Sequence, residues 1–562
     1  MANKPPLRMI FAATGLIVAA GAAVAQVSLP PAVEATPISK DAFSTGTLDG
    51  ASGALPETLW RGSDAQTLEY LLTHMPTRPA TPSLGEVLKR TLLSSGTAPR
   101  EAAPSLGGKK LLALARAGFA EEARTVASLS TAPRGDPWSG QAQAVADLLG
   151  GNIAAACRRS AGLTSGRDEL FWVKLRVLCY AQAGERDAAD LTLGVLRDRG
   201  ALSEADAAFL TAATTGAAPK IPPAAQTPLQ YATAKQLGIP LGSGLLEKAG
   251  GGVLAAVAVD ETVNPATRIA AGERAVAMGV MAPAILSGLM ANVELDIAEI
   301  GSAVIRAQEL PHDPLTDAVI FQSVNTMSAP EFLRDKAKRI ALGLSLADSF
   351  HRAYALSLVY ADEIAALEGA LLSPDEAASF ALARMAVGDS VGAGGWLSAM
   401  IGVNATVAAL PEEQAMAFID LVNLLSVLDP QTATQIAGAA DVALLDGGEA
   451  PPVAAGAYAD PAVTARILEA AFDAALDGKK GQAALAALAA SNGAAPGGQI
   501  EAVLVGQSLR TAGLGDLQRR HEFERKWASS FLTVEDAAAS TEAVASHDDD
   551  GFTPRLKPRR GQ

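Results

Sequence analysis

The sequence predicts an all-α fold of stacked helical hairpins, and three observations carry that prediction. Hydrophobic residues make up 49% of the 562 residues while aromatics make up only 4%, so alanine supplies much of the apolar content. Alanine is the strongest helix former, and its methyl group lets helices approach closely. Strand-like runs of Val, Ile, Thr and aromatics are scarce. Gly118, Gly151 and Gly184 stand at an identical 33-residue spacing, each followed five positions later by alanine, at Ala123, Ala156 and Ala189. A fixed period of this length marks stacked hairpins, because each unit buries its apolar face only against its neighbours.

Taken in order, the chain opens with Lys4 and Arg8 ahead of an apolar stretch from Met9 to Ala22. Ala23-Val24-Ala25 then supplies a small-x-small site, predicting a Sec-type signal peptide over 1–25 cleaved between Ala25 and Gln26. The expected location is the periplasm. An uncleaved anchor is the alternative, disfavoured because the stretch is rich in Ala and Gly. Residues 26–58 hold four prolines and no helical period and read as an extended leader. Helical pattern starts near Leu59 and becomes clean from Gly108, with helices expected over Lys109–Ala117, Ala120–Leu129, Trp138–Leu149, Ile153–Ser160, Asp168–Ala183, Arg186–Arg199 and Glu204–Thr214. A repeat domain over 59–216, a Pro-rich linker over 217–228 and a second helical domain over 229–530 follow. In the second domain the spacing is irregular, with echoes at Gly388 leading to Ala393 and Gly478 leading to Ala483. Gly447 to Pro452 reads as a second hinge or as a long loop, and 531–562, with Asp548-Asp549-Asp550 and a basic end, reads as a disordered tail.

Cys157 and Cys179 are the only thiols, in a chain expected to enter an oxidising compartment. Cys157 lies six residues after Gly151 on the second helix of its hairpin, and Cys179 five residues before Gly184 on the next helix. Those helices run antiparallel as neighbours, which sets both sulfurs at about the same height and predicts a structural disulfide. The alternative is two separately buried thiols.

The Gly-x4-Ala core of Gly118/Ala123, Gly151/Ala156 and Gly184/Ala189 resembles the tetratricopeptide repeat. That family places a glycine near the end of the first helix and a small residue where the two helices cross. The usual period is one residue longer, and its aromatic positions are mostly Ala or Leu here, so the resemblance is to a TPR-like array over about a fifth of the chain. It implies an α-solenoid. Ala156-Cys157, then Phe171-Trp172-Val173-Lys174-Leu175-Arg176, Cys179 and Ala183-Gly184, also resemble uncharacterised exported Ala-rich helical proteins of alphaproteobacteria, sometimes labelled "antifreeze glycopeptide" proteins. No tandem Ala-Ala-Thr array supports that label, and the resemblance implies no activity.

The net charge of −15 becomes −17 once Lys4 and Arg8 leave with the signal segment, which argues against nucleic acid as a partner. No stable membrane span is expected after cleavage, since the best later segment, Ala249 to Val259, is short and Gly-rich. No catalytic, cofactor-binding or metal-binding residues emerge. His-Glu-x-x-His, Gly-x-Ser-x-Gly, Gly-x4-Gly-Lys and Gly-x-Gly-x-x-Gly are absent, and His312-Asp313 between two prolines reads as a loop. Exported peptidoglycan lyases with helical superhelices use a Glu-Ser pair, and no Glu-Ser dipeptide occurs. The five tryptophans read as hairpin core. The expected function is a non-catalytic, exported helical-repeat scaffold holding a protein or peptide partner in the cell envelope. The alternatives are an assembly factor of an envelope complex or a peptidoglycan-acting or carbohydrate-binding protein. Nothing in the spacing sets an oligomeric state.

Overall fold

The computed structural model describes residues 41–103, 105–131, 136–242, 244–367, 372–402, 406–444, 461–491 and 499–531. Among these residues the structure is all-helical: 28 α-helices, two short 3-10 turns, and one isolated bridge between Asp41 and Thr131 in place of any strand. The signal segment with Ala25 and Gln26, the hinge at 447–452, and the tail apart from Phe531 lie outside the described residues.

The seven helices expected between 109 and 214 are Ser105–Ala117, Ala120–Leu129, Pro137–Leu149, Ile153–Ala161, Leu170–Ala183, Arg186–Asp198 and Glu204–Thr215. The first begins four residues earlier than its pattern, so that it takes in the pair Gly107-Gly108. A Cβ on Gly107 would sit 3.0 Å from the Phe43 amide nitrogen, so the docked 41–47 segment crowds any larger residue there. Local chemistry fixes the other ends. Asp136 accepts from the Ser139 amide at 2.9 Å with Pro137 opening the helix. At the far end of Leu170–Ala183 the chain turns left-handed at Gly184, φ +80°, and the Glu185 amide closes on the Tyr180 carbonyl at 2.9 Å. Ala123, Ala156 and Ala189 are buried where the two helices of each hairpin cross. Gly388/Ala393 and Gly478/Ala483 repeat the arrangement, with positive φ at the glycine and a buried alanine. Trp60, Trp172, Trp396 and Trp527 are buried, and Trp138 packs against the core with the Lys109 ammonium 5.2 Å from its ring centre.

Two large cores organise the helices, and they do not divide at 217–228. One joins residues from Ala42 to Val145 with residues from Ile467 to Leu517; the other runs from Phe209 to Ala440 and includes Phe523 and Trp527. Phe209 and Ala212, before the Pro-rich stretch, share a core with Val253 after it, and the Ala225 amide donates to the Leu241 carbonyl at 3.0 Å. Proline ends helices and sets turns without keeping flanking apolar residues out of one core.

The early and late helices meet directly. Helix Lys480–Ala490 is buried along most of its length, and the Gly481 amide donates to the Leu59 carbonyl at 2.9 Å. Helix Gly515–Ser529 lies against Pro82–Leu93, where Glu524 accepts from the Ser83 amide at 2.9 Å and the Ser83 hydroxyl at 2.8 Å. Thr81 Oγ1 and His521 Nδ1 share a 2.8 Å hydrogen bond beside them. Gly85 permits the crossing next to this junction, since a Cβ there would lie 2.2 Å from the Met278 carbonyl oxygen.

Of the segment read as an extended leader, residues 41–58 form turns docked on the helices, with Phe43 and Leu55 buried. The fully buried Lys110 ammonium donates to the carbonyls of Phe43 at 2.9 Å and Thr45 at 2.7 Å.

Candidate functional site

The first helix of each early hairpin and the helix Glu204–Thr215 turn one face inward, and two downstream helices lie on that face. Pro228–Leu237 packs on Pro137–Leu149 and Glu204–Thr215, and Gly251–Val259 packs on Ser105–Ala117. Glycines allow the second approach: a Cβ on Gly118 would stand 3.0 Å from the Gly252 amide nitrogen. Most of the apolar, Gly-rich segment Ala249 to Val259 is thus the packed helix Gly251–Val259, and no helix among the described residues is long and apolar enough to cross a membrane.

Between the inner face and its cover lies a pocket of about 360 Å³. The second helices of the hairpins contribute nothing to its lining. Val145, Leu170, Phe171, Leu229 and Val253 make apolar walls. Three polar residues stand on successive inner helices: Gln141, Lys174 and Asp206. Each lies ten residues before a left-handed glycine, at Gly151, Gly184 and Gly216, so one register position carries the polar lining. In the first hairpin that position is Gly108, where a Cβ would meet the Asp136 carboxylate, and Arg116 further along the same helix supplies the polar group.

Lys174 and Asp206 neutralise one another. The ammonium lies 2.6 Å from Asp206 Oδ2, and the carboxylate also accepts from Gln230 Nε2 at 2.9 Å and the Ser203 hydroxyl at 2.9 Å. Burial pushes the Asp206 pKa up, and the bonds from Lys174, Gln230 and Ser203 outweigh it, leaving the pKa below the ordinary carboxylate value. Gln141 and Arg116 are different. Gln141 is 2% exposed and makes no side-chain hydrogen bond among the described residues, its amide being turned to the pocket space. Arg116, whose side chain reaches open solvent as well as the pocket, makes no ion pair or hydrogen bond among the described residues. Desolvation by the surrounding walls lowers its pKa, and the field of Glu169 opposes that only in part.

No protein-family model, curated protein or solved structure matches the chain.

A second cavity of about 800 Å³ opens on the other side of Pro228–Leu237. Its centre is Asp260, which accepts from Tyr231 Oη at 2.8 Å, Lys235 Nζ at 2.7 Å, and the Thr262 hydroxyl and amide at 2.8 and 3.1 Å. Burial raises the Asp260 pKa, but these donors carry it down to about 2. Both carboxylate oxygens are already occupied, so this cluster braces its loop.

Glu273 and Asp317 form a buried carboxyl pair, with the Arg352 guanidinium bidentate on Asp317 at 2.8 Å for both contacts. Burial and the charge of Asp317 push Glu273 well above the ordinary carboxyl value, so Glu273 holds the proton. Neither residue lines the two cavities described above. Among the described residues no group of three His, Cys, Asp or Glu side chains converges as a metal site. His312 sits in a loop with Nδ1 3.0 Å from Asp348, and Asp313 caps the next helix.

The structure brings Cys157 and Cys179 to disulfide distance, with Cα atoms 5.6 Å apart on neighbouring helices. Gly118, Gly151 and Gly184 all have positive φ at the hairpin turns. None of these repeat-defining residues enters the pocket, and the pocket residues carry no motif. The one signal that points to Gln141 and Lys174 is the glycine register, read ten positions upstream.

Proposed function

We propose that this chain is an exported, non-catalytic scaffold of TPR-like hairpins, an α-solenoid at its N-terminal end, that binds a protein or peptide partner in the cell envelope. The observation that carries the reading is that Gln141 and Arg116, neither with a side-chain partner among the described residues, face one apolar-walled pocket. A ligand that bonds to both gains about 0.5–1.5 kcal/mol for a neutral hydrogen bond and about 1.5–3 kcal/mol for one to a charged group. Apolar walls with a few convergent polar groups are the usual composition of a binding site. The downstream helices narrow the inner face, so the partner contributes a short segment to a pocket and does not fill an open groove. The cysteine pair fits an oxidising compartment.

A photo-reactive phenylalanine derivative at Leu170, which lines the pocket and is 44% exposed, tests this in cells. Leu191, 74% exposed on the second helix of its hairpin, is the control position. Discrete adducts from 170 and none from 191 are expected. Adducts from neither, or the same set from both, would overturn the reading. Protease accessibility of the chain in spheroplasts, compared with intact cells, tests the export.

A further inference from the structure

We propose that the pocket takes the carboxy-terminal end of a peptide whose last residue is apolar. The inference rests on the binding role above and names the chemistry of the ligand. Lys174 is neutralised by Asp206, so Arg116 is the uncompensated charge of the lining. Glu169, whose field reaches Arg116, makes no ion pair with it. One free guanidinium calls for one negative charge, and it pairs two-pronged with a carboxylate. A phosphate would bring nearly two charges to that single cation.

The walls and the amide narrow the choice further. Val145, Phe171, Leu229 and Val253 give the ligand's side chain an apolar seat. Gln141 offers a donor and an acceptor together, which is what a peptide bond next to the terminal carboxylate requires. A fatty acid carries the carboxylate and the apolar tail but leaves that amide unpaired. A volume of about 360 Å³ lies at the small end of ligand pockets, room for one terminal residue and its peptide bond.

Binding of short acetylated peptides ending in Leu, Val or Phe to the purified chain, by titration calorimetry, tests the proposal. Each peptide is compared with its C-terminal amide, and decanoate serves as the carboxylate without an amide. The free acid should bind roughly 10- to 100-fold more tightly than the amide, the range of a hydrogen bond to a charged group. Arg116→Gln should bring that ratio close to one, and Arg116→Lys, which keeps the charge, should retain part of it. Gln141→Leu should weaken the free-acid peptide and leave decanoate unchanged. Acid and amide binding equally would overturn the proposal while the binding role survives, as would decanoate matching the peptides. Failure of every peptide to bind would also overturn it, and the Leu170 adducts then decide separately whether the binding role stands.

Discussion

Replacing Lys110 by methionine should remove a rise in stability with pH that the wild-type chain shows between about pH 7 and 10. The Lys110 ammonium is fully buried, bonded to two carbonyls of the docked 41–47 segment, and its pKa is lowered from 10.5 to about 7 by burial, with Asp41 opposing weakly. In the unfolded chain the same lysine keeps its proton up to about 10.5. Between these values the unfolded state binds one more proton than the folded state, so the free energy of unfolding increases with pH. At about 1.4 kcal/mol per pH unit the full span is on the order of 5 kcal/mol. Methionine keeps the apolar stem and deletes the titration. It also leaves the Phe43 and Thr45 carbonyls without their donor, a loss of about 1–3 kcal/mol each that does not vary with pH. Urea midpoints followed by tryptophan fluorescence at half-unit steps from pH 7 to 10 give the difference between the two proteins. The Phe43 and Trp60 rings are 4.8 Å apart, so release of this segment is visible in the signal. A wild-type-minus-variant difference that is flat, or that falls with pH, would refute the assignment of Lys110 as a buried titrating group.

Glu524 gives the opposite slope in the neighbouring window. Burial raises it from 4.5 to about 7 despite its bonds from Ser83, so its protonated form contributes stability that is present below pH 4.5 and lost as pH rises through 7, about 3 kcal/mol in all; Glu524→Gln should flatten that fall in urea titrations from pH 4.5 to 7.5. Reducing the bond between Cys157 and Cys179, 22 residues apart, should cost roughly 3 kcal/mol of chain entropy. Hydrogen exchange should quicken in Ile153–Ala161 and Leu170–Ala183 and stay unchanged in Lys480–Ala490, whereas uniform exchange would count against a local staple. Gly85→Ala should lower the melting midpoint, because its Cβ would lie 2.2 Å from the Met278 carbonyl, an overpacking that costs about 1–3 kcal/mol. Gly438→Ala, in a helix with open space around it, should be neutral or stabilising by up to about 1 kcal/mol.

The hairpins were legible because their cause is local. A left-handed turn needs Gly184, a close crossing needs Ala189, and helix ends follow from Asp136, Pro137 and their like. The meeting of early and late helices was not legible. It depends on Ser83 with Glu524, Leu59 with Gly481 and Gly85 with Met278, residues that are ordinary in sequence and become specific only as pairs. The same limit explains the Pro-rich stretch at 217–228. Its prolines mark a change of direction, while Ala225 and its neighbours decide which core it joins. Hydropathy marks Gly251 and Gly252 only as part of an apolar run, and in the fold they let a helix seat against Ala117 and Gly118.

The pocket shows how one register separates structure from chemistry. Five residues after each turn glycine, Ala123, Ala156 and Ala189 are buried in the packing of the hairpins and do not face the pocket. Ten residues before the left-handed glycines, the side chain faces inward and touches no crossing, so the fold tolerates Gln141, Lys174 and Asp206 alike. A chain so rich in alanine has few side chains long enough to reach across a cavity. Those few carry whatever selectivity the inner face has, and of them Lys174 and Asp206 are occupied with each other. Among the long side chains of the pocket's inner helices, that leaves Gln141 and Arg116 without a partner among the described residues, which is why the proposed ligand's chemistry follows from them and not from the glycine register.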